Sequence, residues 1–197
     1  MVKWKMLTSK EISAISIFTA LSVVITFANL EYPFPPIAFL KFDLSEVPIF
    51  ILALLYGPIS TFISAVAVGL VIVARGDPVG AFFKVLSIVS TAVPVAYFAF
   101  SGMPKIKEKK YLFGWLAGIL SSFIRAIVMT VGNYILIPIL YFPPGVAALA
   151  ELLGLDLYTF LFLIGLFNIL QGLLNFVPAF LIVLKLPPEW KPDWMME

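Results

Sequence analysis

The sequence predicts an all-α integral membrane protein with six transmembrane helices, both termini cytoplasmic, and a single domain spanning residues 1–197. Three observations predict it. First, 62% of the 197 residues are hydrophobic, only 12% are charged, and the mean hydropathy is +1.08. A soluble domain is about half apolar and about a quarter charged. Second, the apolar runs are continuous. A membrane β-barrel alternates apolar and polar residues instead, so helices are what remains to satisfy the backbone in lipid. Third, the cations are lopsided. Lys3, Lys5, Lys10, Lys105, Lys107, Lys109, Lys110, Lys185 and Lys191 fall on one side of the six-span layout, and only Lys41 and Arg75 on the other. The cation-rich side is the cytoplasmic one.

Span 1 runs from Glu11 to Ala28 behind a basic tail. No small-residue cleavage site follows a short apolar core, so this segment is read as a retained span. A proline-broken loop over 29–42 follows, containing Tyr32-Pro33-Phe34-Pro35-Pro36. Span 2, Ser45 to Tyr56, is short against about 30 Å of hydrocarbon. Gly57-Pro58 breaks it from span 3, Ile59 to Ala74. Arg75-Gly76-Asp77-Pro78 reads as a turn, and span 4 covers Gly80 to Phe100. A charged loop from Gly102 to Lys110 leads to span 5, Tyr111 to Leu140. Pro143-Pro144-Gly145 opens a second outer loop with room for a short helix through Leu153. Span 6 covers Leu157 to Leu184, and a short polar tail with Trp190 and Trp194 follows.

Composition excludes several kinds of chemistry. The chain has no Cys and no His, which removes thiol nucleophiles, Ser-His triads and nearly every zinc site. No Gly-rich phosphate loop ending in Lys-Ser/Thr is present. Asp43, Asp77 and Asp156 fall in loops or at helix ends, without metal-ligand spacing. No catalytic residue, metal or cofactor is therefore expected, and no basic tract is long enough for nucleic acid. Any ATP-driven work requires another subunit.

The candidate site begins at Phe39-Leu40-Lys41-Phe42-Asp43-Leu44-Ser45-Glu46-Val47-Pro48, the polar-aromatic lead-in to span 2. Asp43 and Glu46 stand at capping-box spacing, and Ser45 is an alternative cap with Pro48 in the first turn. One reading makes both acids helix caps only. The other makes the stretch a lid over a pocket. Tyr32, Phe34, Phe39 and Phe42 likewise read either as an interfacial aromatic belt or as cover for a flat ring.

Polar side chains inside the spans are costly and often functional. Span 4 carries Lys84, Ser87 and Thr91 on one face, and span 6 carries Asn168, Gln171 and Asn175 at the same spacing. Span 5 carries Arg125 and Asn133. At 1.5 Å per residue, Lys84 lies about 6 Å and Asn133 about 10 Å inside the outer helix ends. Those two read as site residues, whereas Arg125 and Asn175 read as glue between helices. Asn and Gln supply donors and acceptors together, which suits a neutral heterocycle with amide-like edges.

Small residues recur every four positions: Gly114, Gly118 and Ser122 on span 5, Ala65 and Gly69 on span 3, Ser16 and Ala20 on span 1. Such ridges let helices approach closely. The first two read as internal packing. The ridge on span 1 serves either that or contact with another membrane protein.

Together these features resemble the substrate-binding S components of energy-coupling-factor (ECF) vitamin transporters, most closely the riboflavin-specific members. The residues that carry the resemblance are Leu40 to Pro48 leading into span 2, Gly57-Pro58, Gly132-Asn133-Tyr134 on span 5, and Phe167-Asn168 with Gln171 on span 6. Some riboflavin members carry Lys at the Gln171 position. The resemblance implies a high-affinity riboflavin-binding subunit in the plasma membrane of a prokaryote, with the lipid bilayer around it. Its partners would be a transmembrane coupling subunit and two ATPase subunits, and it would not be an enzyme. It also implies substrate contacts from Phe39, Leu40, Asp43, Glu46, Lys84, Asn133, Asn168 and Gln171. The coupling subunit would meet Ser16 and Ala20, where the family has an Ala-xxx-Ala surface. Alternatives are an S component for another vitamin such as thiamine or biotin, an intramembrane enzyme, and a purely structural membrane subunit. A cationic thiamine ring would favour an acid- and Trp-lined pocket, yet Trp4, Trp190 and Trp194 are in the tails and Trp115 is near the cytoplasmic end of span 5.

The charge bias makes a direct prediction. A cysteine at Pro144 should label with an impermeant maleimide from outside intact cells, and one at Glu108 only after permeabilisation. The reverse pattern would invert the topology.

Overall fold

The computed structural model describes residues 7–101, 110–192 and 194. Lys3, Lys5, Lys105, Lys107 and Lys109, which carry much of the charge bias, lie outside the described residues, as does Trp4. The described residues are 78% helical. The element order is α1 (Ser9–Phe27), β1 (Tyr32–Phe34), β2 (Ile37–Phe42), α2 (Val47–Tyr56), α3 (Pro58–Ala74), α4 (Pro78–Ser101), α5 (Lys110–Leu140), α6 (Val146–Leu152) and α7 (Leu157–Leu184), then a single 3-10 turn at Pro188–Trp190.

Helix starts follow from side chains that take up free backbone N–H groups. Thr8 and Glu11 form a reciprocal capping box on α1. The Asp77 carboxylate accepts from the Gly80 amide at 2.7 Å, so α4 starts at Pro78, two residues earlier than the sequence suggests, with proline where its missing N–H is harmless. Asp156 accepts from the amides of Tyr158 and Thr159 and so starts α7. The Thr159 hydroxyl, ahead of those amides, holds the Asp156 carboxyl below its usual range.

Among the described residues, four helices (α1, α4, α5 and α7) are long and apolar enough to cross a membrane, whereas α2 and α3 are shorter apolar helices of 10 and 17 residues. α3 packs along α4, α4 along α5, and α5 along α7, while α2 is inserted against α7, α1, α3 and α4. The main core follows from this arrangement. Ile49, Phe50, Ala53 and Leu54 of α2 meet Ile88, Ala92 and Val95 of α4 and Phe176 and Phe180 of α7. The ridges on α3 and α5 pack internally. A side chain at Gly69 would collide with Val85, one at Gly118 with the Phe176 ring, and one at Gly172 with Ser122. The ridge on α1 does not: Ser16 and Ala20 are exposed, and the Ser16 hydroxyl is turned onto its own helix, donating to Ile12 O at 3.0 Å.

Two segments differ from the sequence reading. The loop over 29–42 is an antiparallel hairpin, with Tyr32 opposite Phe42 and Pro33 opposite Lys41. Its prolines read as breakers, but Pro33 sits on a two-stranded edge where no donor is needed, and Pro35-Pro36 form the turn. The hairpin is held down by aromatic packing: Phe34 and Phe42 lie 5.6 and 4.8 Å from Phe167 of α7, centroid to centroid. The second difference is the tail. Trp194 is buried in the main core and does not belong to a free polar end. Its indole N–H donates to Leu54 O at 3.1 Å. Leu54 O would ordinarily accept from the residue four further on, but that residue is Pro58, which has no N–H. The indole supplies the missing donor.

Trp194→Phe should therefore cost about 1–3 kcal/mol, the penalty for stranding a buried acceptor, although it keeps the ring. Trp194→Ala should cost about 3–5 kcal/mol. Denaturant unfolding of the detergent-solubilised protein measures both. Wild-type stability in both variants would show that the tail does not brace α2.

Candidate binding site

Between the hairpin and α4, α5 and α7 lies a cavity of about 550 Å³. That size suits a drug- or cofactor-sized ligand. Its apolar wall comes from Phe39 and Leu40 of the hairpin, Phe83 of α4, Met129 and Ile137 of α5, and Phe167 of α7. Tyr141, Phe142 and Leu149 line it from the end of α5 and from α6. Its polar lining is Lys41, Asp43, Glu46, Lys84, Ser87, Arg125, Asn133, Asn168 and Gln171. All eight residues expected to contact a substrate thus border one space.

Glu46 is the centre of the polar side, with a side chain only 1% exposed. Its Oε1 takes Lys84 Nζ at 3.1 Å and the Ser87 hydroxyl at 3.2 Å. Its Oε2 takes Arg125 Nη1 at 2.5 Å. The capping reading of Glu46 is therefore corrected. It occupies the N-cap position of α2 but makes no side-chain cap hydrogen bond, because two cations on α4 and α5 claim the carboxylate. Removing one ion from water costs several kcal/mol, and close partners with filled lone pairs are what offset it.

Asp43 completes the set. Its carboxylate accepts from the Ser45 amide at 2.8 Å, from the Ser45 hydroxyl, and from Lys84 at 3.1 Å. Ser45 is thus a partner of Asp43 and not the cap. Two acids and two cations balance. Lys41 at the rim is paired with Glu31 at 2.7 Å, so the charged lining is close to neutral.

The asparagine and glutamine side chains divide into two kinds. Gln171 is spent on the main chain: Oε1 accepts from the Asp43 amide at 3.3 Å and Nε2 donates to Asp43 O at 2.9 Å. Asn175 Nδ2 also donates to Asp43 O, at 3.0 Å, and to Gln171 O. Asn175 therefore joins α7 to the lead-in of α2, as its depth suggests. Asn168 and Asn133 each bond a carbonyl one turn back, Ile164 O and Met129 O. Asn168 Oδ1 also accepts from Arg125 Nε at 3.2 Å, while Asn133 Oδ1 has no partner among the described residues. Arg125 does join helices, and it also lines the cavity, a role the sequence reading left out. Its i−79 partner Glu46 carried no local signal. Of the hairpin aromatics, Phe39 borders the cavity, Phe34 and Phe42 seal the hairpin to α7, and Tyr32 is exposed.

Comparison with known proteins gives a consistent picture. The family model described as "ECF transporter, substrate-specific component" matches residues 10–183. The riboflavin transporter RibU of Staphylococcus aureus (strain TCH60) is 28% identical over 142 residues, covering 71% of each chain. Among solved structures, the S component of a bacterial ECF transporter superposes with a TM-score of 0.65 at 26% identity, covering 88% of this chain and 92% of that one. ThiT from Listeria monocytogenes superposes with a TM-score of 0.65 at 18% identity, covering 93% and 98%; at that identity the likeness is one of fold.

The Glu46 cluster yields a stability test. Glu46→Ala leaves Arg125 buried without its anion and should cost about 3–5 kcal/mol in unfolding experiments. A residue that only capped α2 would cost about 0.5–2 kcal/mol. The double variant Glu46→Gln/Arg125→Met should recover much of the loss. A strictly additive double variant would mean the two groups are not coupled.

Proposed function

We propose that this chain, which belongs to the ECF transporter substrate-specific component family, is its riboflavin-binding member: it captures the vitamin from outside and releases it inside after docking on a coupling subunit. In this reading α1 to α5 and α7 are the six spans, both termini are cytoplasmic, and residues 1–197 act as one substrate-binding domain. The family is a transporter component and not an enzyme. ATP hydrolysis then belongs to two partner ATPase subunits. The exposed ridge of Ser16 and Ala20 on α1 is the surface offered to the transmembrane coupling subunit, because it is the small-residue ridge the bundle leaves unused.

The observation that carries the reading is the cavity itself: about 550 Å³, apolar and aromatic on one side, and charge-balanced and amide-rich on the other. Riboflavin is neutral, with a flat ring system, a polar pyrimidine-like edge and a hydroxylated chain. The ring suits the wall of Leu40, Phe39, Met129 and Phe167. Asn133 offers an acceptor, Oδ1, with no partner among the described residues. The likeness to a riboflavin transporter supports the same ligand. Another vitamin, thiamine or biotin among them, is the competing reading. A cationic ring would meet Lys84 and Arg125, whose counter-ions are already engaged.

The absorption spectrum of the purified protein tests the ligand: flavin bands are expected. Asn133→Ala should weaken riboflavin binding about tenfold to a hundredfold, the worth of a buried partner left unsatisfied. Asn175→Ala should change affinity far less. Quenching of flavin fluorescence measures both variants. Unaltered affinity in Asn133→Ala together with abolished binding in Asn175→Ala would move the site to the inner half. No quenching by the wild type would remove riboflavin.

A further inference from the structure

Arg125 is 4% exposed, lies midway along α5 and borders the cavity. Two of its three nitrogens are committed: Nη1 donates to Glu46 and Nε donates to Asn168 Oδ1. Nη2 has no partner among the described residues. Nor is it among the fully buried unpaired polar atoms, which are Ser22 Oγ, Ser121 Oγ and Asn175 Oδ1. Arg125 borders the cavity, which is the space the geometry assigns to Nη2.

We propose that Arg125 reads the ligand, donating from Nη2 to a carbonyl oxygen on the buried edge of the flavin ring; this rests on riboflavin being the ligand. A guanidinium only donates, and its plane is rigid. Glu46 and Asn168 hold that plane at two of its three corners, so the third is aimed before any ligand arrives. Beside it, Asn168 Oδ1 has accepted one hydrogen bond and keeps a second lone pair. The floor therefore presents a donor next to an acceptor. The pyrimidine-dione edge of a flavin presents a carbonyl next to an N–H, which is the complement.

Other orientations are worse. The dimethylbenzene edge would strand a buried guanidinium N–H. The flexible hydroxylated chain would lose more conformational freedom on an enclosed floor than near the rim. A site that must satisfy a buried polar group rejects ligands that cannot do so. Arg125 would thus act as a specificity residue, excluding rings that bring a cation or an apolar edge to the floor.

The experiment compares riboflavin with 2-thioriboflavin and 4-thioriboflavin, whose sulfur is a poorer acceptor, by calorimetry on the full-length protein in detergent. Wild type and Arg125→Lys are compared. Lysine keeps a cation opposite Glu46 but has no planar third nitrogen. One thio analogue should bind the wild type about tenfold more weakly than riboflavin. Arg125→Lys should lose about as much for riboflavin, and the two losses should not add. If Arg125→Lys does not purify as a monodisperse protein, Glu46→Gln/Arg125→Met, which removes both charges, carries the same comparison. Additive losses, unchanged riboflavin affinity in the variant, or equal wild-type affinity for all three flavins would each overturn the role of Arg125 while leaving riboflavin as the ligand. A wild type that binds no flavin would overturn the ligand, and the role of Arg125 with it.

Discussion

The buried carboxylate of Glu46 is the constraint on which the rest of this structure depends. It ties the start of α2 to Lys84 and Ser87 on α4 and to Arg125 on α5. Arg125 carries the connection on to Asn168 of α7. Four helices are thus linked through two side chains, Glu46 and Arg125, that are almost wholly shielded from water. An anion in that position is tolerable only while both cations are present, which makes the cluster intolerant of partial loss. The same network forms the polar side of the cavity, so the bundle and the binding surface share their strongest interactions.

Around that anchor the lead-in to α2 is gripped twice more. Gln171 takes both the N–H and the C=O of Asp43, and Asn175 adds a second donor to the same carbonyl. The Phe34–Phe42–Phe167 cluster then presses the hairpin on α7. The cover of the cavity is therefore held by α7 through the two peptide groups flanking Asp43 and through three aromatic rings. At its other end α2 is braced by the indole of Trp194, which occupies the hydrogen-bonding vacancy created by Pro58. A ten-residue helix too short to be secured by its own length is fixed at both ends by other segments.

Small residues explain why α5 and α7 lie so close. Gly118 and Gly172 each leave room that the facing side chain fills, the Phe176 ring in one case and Ser122 in the other. On α1 the same spacing of Ser16 and Ala20 is exposed among the described residues, and Ile12, Ile17, Leu21 and Val24 around it are exposed as well. The opposite side of α1 is attached to the bundle: Ala14, Ile15 and Phe18 pack on Leu52 and Tyr56 of α2, Val23 packs on the main core, and the Thr19 and Ser64 hydroxyls share a hydrogen bond.

The sequence by itself determined the helical membrane class, the approximate ends of each long helix, and the set of polar side chains able to form a site. These are properties of local pattern: continuous apolar runs, caps, proline and glycine breaks, and polar residues repeating on one helical face. The eight residues singled out as contacts all border the cavity. Only the tertiary structure decided their division of labour. Glu46 and Asp43 have cap-like spacing whether or not they cap; the cations on α4 and α5, 38 and 79 residues away in sequence, decide that Glu46 does not. Gln171 and Asn168 carry similar amides three residues apart, yet one is consumed by the main chain of Asp43 and the other bonds its own helix and Arg125. The hairpin and the seat of Trp194 were hidden for the same reason. An edge strand tolerates proline, and a carbonyl orphaned by Pro58 becomes visible only when the chain returns to it. Hydrogen-bond partners distant in sequence are chosen by packing, and packing leaves no periodic signal along the chain.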